Sequence, residues 1–424
     1  MMSKLFKNIL WMLIDKAFLL VGGFIVTVMV ARYLGPNSLG LISYGLALGA
    51  IVISISQWGA NYTIFDTASR NVRRSVRFIQ SSELLRGYIY ILSYFTISFW
   101  VLFFSEYNTT EAIIILLVFA SQIFLSLDIY QFHFNATLNS KINAKSSIYA
   151  KALSMGLRAA FVFLGVDVIW FILPFFVEGI LMYLMRRHYF NLTNVSIHKK
   201  KSIKYKRKYF SVGIPLVATG ICTTLYSKVY DVMLANMTSY VDVGLYGVGN
   251  VINTAWTFIP MAVGISCLST PMKEIEENKK LTGYSFVTLV IIMVSLPIML
   301  FIYFFHNEII NITFGIKYER VKEILFMLSI GSFLSTLGFF FNRMINSFPD
   351  GSGYLLKKVF ISAVVMVLLS YFLVRQYSLN GAVYGYVISE FLNLTLLNYL
   401  FRNGIIFKIQ IGILSSLKYC VNYR

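Results

Sequence analysis

Tyr284–Phe305 reads YSFVTLVIIMVSLPIMLFIYFF, a run of 22 residues without a charged side chain. At about 1.5 Å of rise per residue, a helix of that length covers the roughly 30 Å hydrocarbon core of a bilayer. Working outward, comparable runs of largely uncharged residues lie near 9–31, 41–65, 84–104, 112–133, 147–165, 167–185, 211–235, 244–269, 322–342, 358–374 and 381–401. With 284–305 that makes twelve. The fifth is the least apolar, because it holds Lys151, Ser154 and Arg158, so eleven spans is the competing count.

Composition points the same way. Of 424 residues, 58% are hydrophobic and 13% charged, and mean hydropathy is +0.71. Soluble domains average about 25% charged residues. Half that value along the whole chain excludes an ordinary soluble enzyme, a disordered chain and a nucleic-acid-binding domain. The fold class expected is an all-α polytopic membrane protein, about 12 transmembrane helices in two parallel six-helix bundles around a central lumen. Cys222, Cys267 and Cys420 are far apart and offer neither a disulfide framework nor a metal cluster, and no cofactor motif is present. The first apolar run follows Lys4 and Lys7 without a small-residue cleavage site before Arg32, and reads as a retained span.

Orientation follows from the loops, because Lys and Arg resist translocation. Alternate segments, both ends included, carry 29 of the 37 cationic side chains, with Arg86, Arg186 and Lys358 counted among these loop cations, which places both termini in the cytoplasm. The net charge of +19 and the runs Lys199-Lys200-Lys201 and Lys206-Arg207-Lys208 then read as topology signals in a retained loop, with no nucleic acid as partner. That loop separates two halves of six spans. Val28-Met29-Val30-Ala31 followed by Gly40-Leu41 and Gly45 recurs as Val232-Met233-Leu234-Ala235 followed by Gly244-Leu245 and Gly249, at a constant offset of 204. An even number of spans per repeat makes the repeats parallel, with alternating access between two bundles as the natural mechanism. The expected organisation is a bundle over 1–185, a basic cytoplasmic linker over 186–210, a bundle over 211–402 and an interfacial tail over 403–424, whose apolar stretch is too short to span.

Ionisable groups within hydrocarbon are costly and face a cavity or a partner, so they are the site candidates. Arg158 and Glu178 each lie 11 residues into adjacent spans joined by a turn near Val166. Counted from that turn their depths differ by about 6 Å, so they can pair, as a static brace or as part of a cavity. Asp15 and Lys16 lie close enough to the cytoplasmic side for Lys16 to reach the headgroups. Lys228 and Asp231, three residues apart, share a helix face and suit a local ion pair as well as a ligand site. Asp128, with Gln131 and His133, lies toward the inner end of the fourth span. Glu390, with Asn393 and Asn398 on its helix, suits either proton transfer or a satisfied hydrogen bond. The third and ninth spans carry no interior charge and read as lipid-facing. No phosphate-binding Gly-rich loop and no His-Glu-x-x-His occurs.

Several short motifs resemble the Wzx-type O-antigen flippases of the polysaccharide-exporter family, within the multidrug, oligosaccharidyl-lipid and polysaccharide exporter superfamily. Ala31-Arg32-Tyr33-Leu34-Gly35-Pro36 before Gly40-Leu41 is similar to the family's first external loop. Gly59-Ala60-Asn61-Tyr62 and Ala68-Ser69-Arg70-Asn71 resemble its second span and the basic loop after it, and Lys228-Val229-Tyr230-Asp231 resembles the opening of its second half. Asp128 and Gln131-Phe132 match its fourth-span segment only loosely, without the Trp and the Gly that usually go with it. The resemblance implies an inner-membrane transporter, not an enzyme. It would move an undecaprenyl-diphosphate-linked oligosaccharide to the periplasmic leaflet, driven by a proton gradient or the potential, beside the O-antigen polymerase and chain-length machinery. Arg158, Lys16 and Lys228 would attract the diphosphate, with Glu178, Asp15, Asp231, Glu390 and Asp128 as counter-charges or couplers. A multidrug cation antiporter of the same superfamily and a membrane O-antigen polymerase are the rival readings. Three intramembrane cations weigh against the first, and the absence of a large external loop against the second.

Overall fold

The computed structural model describes residues 2–104, 108–193 and 203–413. Its helices are α1 (Met2–Ser56), α2 (Ala60–Arg70), α3 (Val72–Phe104), α4 (Thr109–Ser121), α5 (Ile123–Leu127), α6 (Tyr130–Ala136), α7 (Ser140–Leu164), α8 (Leu173–Thr193), α9 (Ile203–Met237), α10 (Tyr240–Leu268), α11 (Glu277–Thr313), α12 (Val321–Asn346), α13 (Gly351–Leu394), α14 (Leu396–Tyr399) and α15 (Ile405–Ile411). No strand occurs among the described residues. Nine helical segments among them are long and apolar enough to cross a membrane. Two of the nine, Phe18–Ser56 and Gly351–Tyr399, each carry two of the runs read from the sequence, and α9 carries the seventh, so every run falls on helix.

The doubled helices break where the backbone chemistry directs. In α1 the break is at Gly35, whose φ of 77° suits a residue without a Cβ, and Pro36 follows with no N–H to donate. In α13 it is at Ser378, with φ 50°. The second run, expected over 41–65, stops at Ser56, because Trp58 and Gly59 both take positive φ and turn the chain into the separate helix α2.

The chain groups into two compact units, Met1–Val232 and Met233–Arg424. In the first, the least apolar run proves to be a helix packed between α1 and α8. Its Ser140, Asn143, Ala144, Ser147, Ala150 and Ser154 recur at three- and four-residue spacing and are buried. Small side chains let helices approach closely in lipid, which explains a span of modest hydropathy. On α3 the stripe Leu84, Tyr88, Leu92, Phe95, Phe99 and Phe103 is exposed, as a lipid-facing span requires. The start of α9 is bound to this unit: Trp58 Nε1 donates to the Phe210 carbonyl at 3.1 Å, Tyr209 Oη to the Gln57 carbonyl at 2.7 Å, and Arg77 to Tyr205 Oη at 2.6 Å.

In the second unit Tyr284, Val287 and Ile291 of α11 and Phe340, Phe341 and Met344 of α12 form a core closed by Ile405, Ile406 and Ile409 of α15. Ser285 donates to the Ile409 carbonyl at 2.7 Å, fixing the end of the described chain against α11, while Phe407 and Ile411 stay exposed. Residues 194–202 of the basic linker and 414–424 of the tail, with Cys420, lie outside the described residues.

Candidate functional site

Arg158 and Glu178 meet. Gly165, at φ 65°, ends α7, and a short turn over 168–172 leads into α8, bringing the two side chains level. Arg158 Nη2 stands 3.5 Å from Glu178 Oε2, and the guanidinium lies 4.1 Å from the centre of the Phe175 ring, one turn before Glu178. Neither side chain is sealed: they are 20% and 22% exposed. Arg158 Nε has no hydrogen-bond partner among the described residues, so a guanidinium built for five donors holds one long contact and an aromatic face. Donors left over, a cation over a ring and partial access are what a phosphate oxygen needs.

The remaining candidates divide. Lys228 Nζ reaches Asp231 Oδ2 at 2.9 Å along one face of α9, with the lysine 37% exposed and the carboxylate nearly covered. The side chains of Asp15 and Lys16 lie outside the described residues. Glu390 is buried on α13, within electrostatic reach of Lys358. Asp128 is also buried, and it is paired with Arg186.

The pairing of Asp128 corrects the loop tally. Arg86 and Arg186 counted there as loop cations, yet Arg86 is fully buried on α3 and Arg186 nearly so on α8. Arg86 donates to Ser82 Oγ at 2.5 Å and points at the Leu127 carbonyl, next to Asp128. Beside them Glu83 accepts from Tyr183 Oη at 2.8 Å and from Tyr130 Oη at 3.3 Å, and it pairs with Arg187 at 3.3 Å. The third span is therefore lipid-facing on one stripe only; the opposite side of its basic end carries charge. Asp128 sits where the chain breaks between α5 and α6, and this network ties that break to α3 and α8. The one signal in the sequence was Glu83 itself, an acid three residues from Arg86 in an otherwise basic stretch. Lys358, also counted as a loop cation, is buried too. Its Nζ donates to Asn342 Oδ1 and Asn398 Oδ1, each at 2.7 Å.

Comparison with known proteins adds to this geometry. The family described as "Polysaccharide biosynthesis protein" matches residues 29–323. No curated protein matches the chain significantly. Among solved structures, the lipid II flippase MurJ in an inward closed conformation is 14% identical, with a TM-score of 0.73 over 98% of this chain and 93% of that one. An inward-facing multidrug resistance MATE family transporter of the MOP superfamily is also 14% identical, with a TM-score of 0.65 over 94% of this chain and 95% of that one. A MATE transporter of Vibrio cholerae is 13% identical, with a TM-score of 0.63 over 97% of both chains.

Proposed function

The chain belongs to the polysaccharide biosynthesis protein family, and on that footing we propose that it flips an undecaprenyl-diphosphate-linked oligosaccharide of the O-antigen type from the cytoplasmic to the periplasmic leaflet. The observation that carries this reading is the Arg158–Glu178 pair, a partly open cation with unspent donors deep in an apolar bundle. A glycan and a diphosphate cannot cross hydrocarbon unaided. The headgroup travels through a hydrophilic lumen while the polyprenyl tail stays in lipid. Arg158 and Lys228 attract the diphosphate, and Glu178 and Asp231 hold those cations in place until it arrives. The loop cations keep both termini in the cytoplasm. An inside-negative potential then favours outward movement of the anion, by about 2.3 kcal/mol per charge per 100 mV.

The test is the leaflet distribution of the lipid-linked oligosaccharide in cells with and without the gene. The reading expects the intermediate to accumulate on the cytoplasmic side without the protein, and the external pool to return with it. An unchanged distribution together with altered efflux of cationic dyes would replace it with the cation antiporter.

A further inference from the structure

The second unit holds a line of polar side chains that the diphosphate reading does not use. It begins on α12 with Asn342, half-buried near the end of that helix where the basic loop follows. Asn342 and Asn398 together hold the Lys358 ammonium, itself 3% exposed. One turn on, Ser362 Oγ faces Asn393 Oδ1 at 3.5 Å. Glu390, 2% exposed, is one turn before Asn393 on α13. Tyr386, one turn before Glu390, hydrogen-bonds Ser332 and Ser335 of α12, and both Tyr386 and Ser335 are again half-buried. Gly331 leaves room for that tyrosine, since a Cβ there would run into its ring.

From Asn342 to Ser332 is ten residues of helix, about 15 Å, or half the hydrocarbon thickness. A brace needs a partner for each charge and nothing more. Here the two charged groups are the covered middle of a line whose two ends are less covered, and the other members are hydroxyls and amides. On the helices packed against α13 the other charged groups lie elsewhere: Arg343 stacks over Phe339, Lys322 pairs with Glu319, Glu323 sits in the first turn of α12 at the opposite end from Asn342, and Asp242 pairs with Arg320.

We infer that Lys358 and Glu390 form a proton-binding site reached from the basic end of the second bundle through Asn342 and Asn398. This rests on the transporter reading and names the group that couples it to a proton gradient. The step is one proton: hydronium at the basic end gives H⁺ to the Glu390 carboxylate, leaving water and a carboxylic acid, and release reverses it. In its charged form Lys358 supplies the counter-charge. While it stands near the carboxylate it favours the ionised form, and a movement of the two halves of α13 relative to each other about Ser378, which separates them, favours protonation in the apolar surroundings.

The test uses the full chain in lipid nanodiscs and infrared difference spectra between about pH 5 and pH 9, a range that spans the coupling of such a site. The expected result is a carboxylic C=O band that vanishes in Glu390→Gln and persists to higher pH in Lys358→Met. Absence of that band from the intact protein, or a band unmoved by both substitutions, overturns the inference. Glu390→Gln is nearly isosteric, so the first comparison survives if Lys358→Met fails to fold. In proteoliposomes, Glu390→Gln should lose gradient-driven glycolipid transport while potential-driven transport continues. Loss of both in proportion would mark Glu390 as structural and overturn the inference. Wild-type vesicles that carry no glycolipid under either drive would sink the flippase reading alone, because the infrared result stands independently of it.

Discussion

Arg186–Asp128 and Arg158–Glu178 are the same chemistry in the same unit, both anchored on α8, yet they are built for different ends. The first is sealed, 6% and 1% exposed, and embedded with Arg86 in a network that joins three helices at the basic end. The second is 20% and 22% exposed, held by one long contact, and backed by an aromatic ring. Buried charge by itself therefore does not mark a binding site. What distinguishes the proposed site is charge that is paired loosely enough to be taken over.

The largest expected effect breaks the sealed pair. Arg186→Ala leaves Asp128 buried without its cation, which costs about 3–5 kcal/mol. Protein abundance in the membrane should collapse. The double substitution Arg186→Met with Asp128→Leu should recover most of it, because apolar replacements of similar volume remove both desolvation penalties. Recovery of abundance without recovery of transport would show that this network also touches the substrate.

Next comes the open pair. Arg158→Ala removes a charge-assisted contact worth about 1.5–3 kcal/mol, so transport should fall roughly tenfold to a hundredfold while abundance holds. Glu178→Gln sharpens the point, since it keeps the cation and relaxes its hold. Diphosphate-containing headgroups should then bind more tightly and leave more slowly.

A smaller, steric effect tests the seam between the start of α9 and the rest of the first unit. A Cβ at Gly213 would run into the Trp58 ring and carbonyl, so Gly213→Ala should cost about 1–3 kcal/mol of stability, read as a lower melting temperature in detergent. Smallest is Lys228→Ala. It removes a pair within one helix whose cation is 37% exposed, and any loss of transport should be less than that of Arg158→Ala.

Much of this was legible beforehand. Among the described residues the apolar runs fall on helix, since a chain in lipid must satisfy its backbone internally and helix is the available solution. That Arg158 and Glu178 can pair was legible from their similar distances to one turn. What stayed hidden was the fate of charges near helix ends. Arg86, Arg186 and Lys358 lie where a cation is equally at home in a loop or folded back among neighbours, and the difference depends on Asp128, Ser82 and Asn398, which are remote or unremarked in sequence. The early stop of the second run was hidden for another reason. Trp58 is apolar, and its positive φ arises from the seam it makes with α9 and not from its own preference.

The most direct measurement sets Arg158→Ala beside Arg186→Ala in one assay, scoring external-leaflet lipid-linked oligosaccharide per molecule of protein in the membrane. Arg158→Ala should reach normal abundance with little external product, whereas the Arg186→Ala molecules that do fold should retain near-normal output each. Equal loss per molecule in both, or normal output from Arg158→Ala, would contradict that difference between the two pairs.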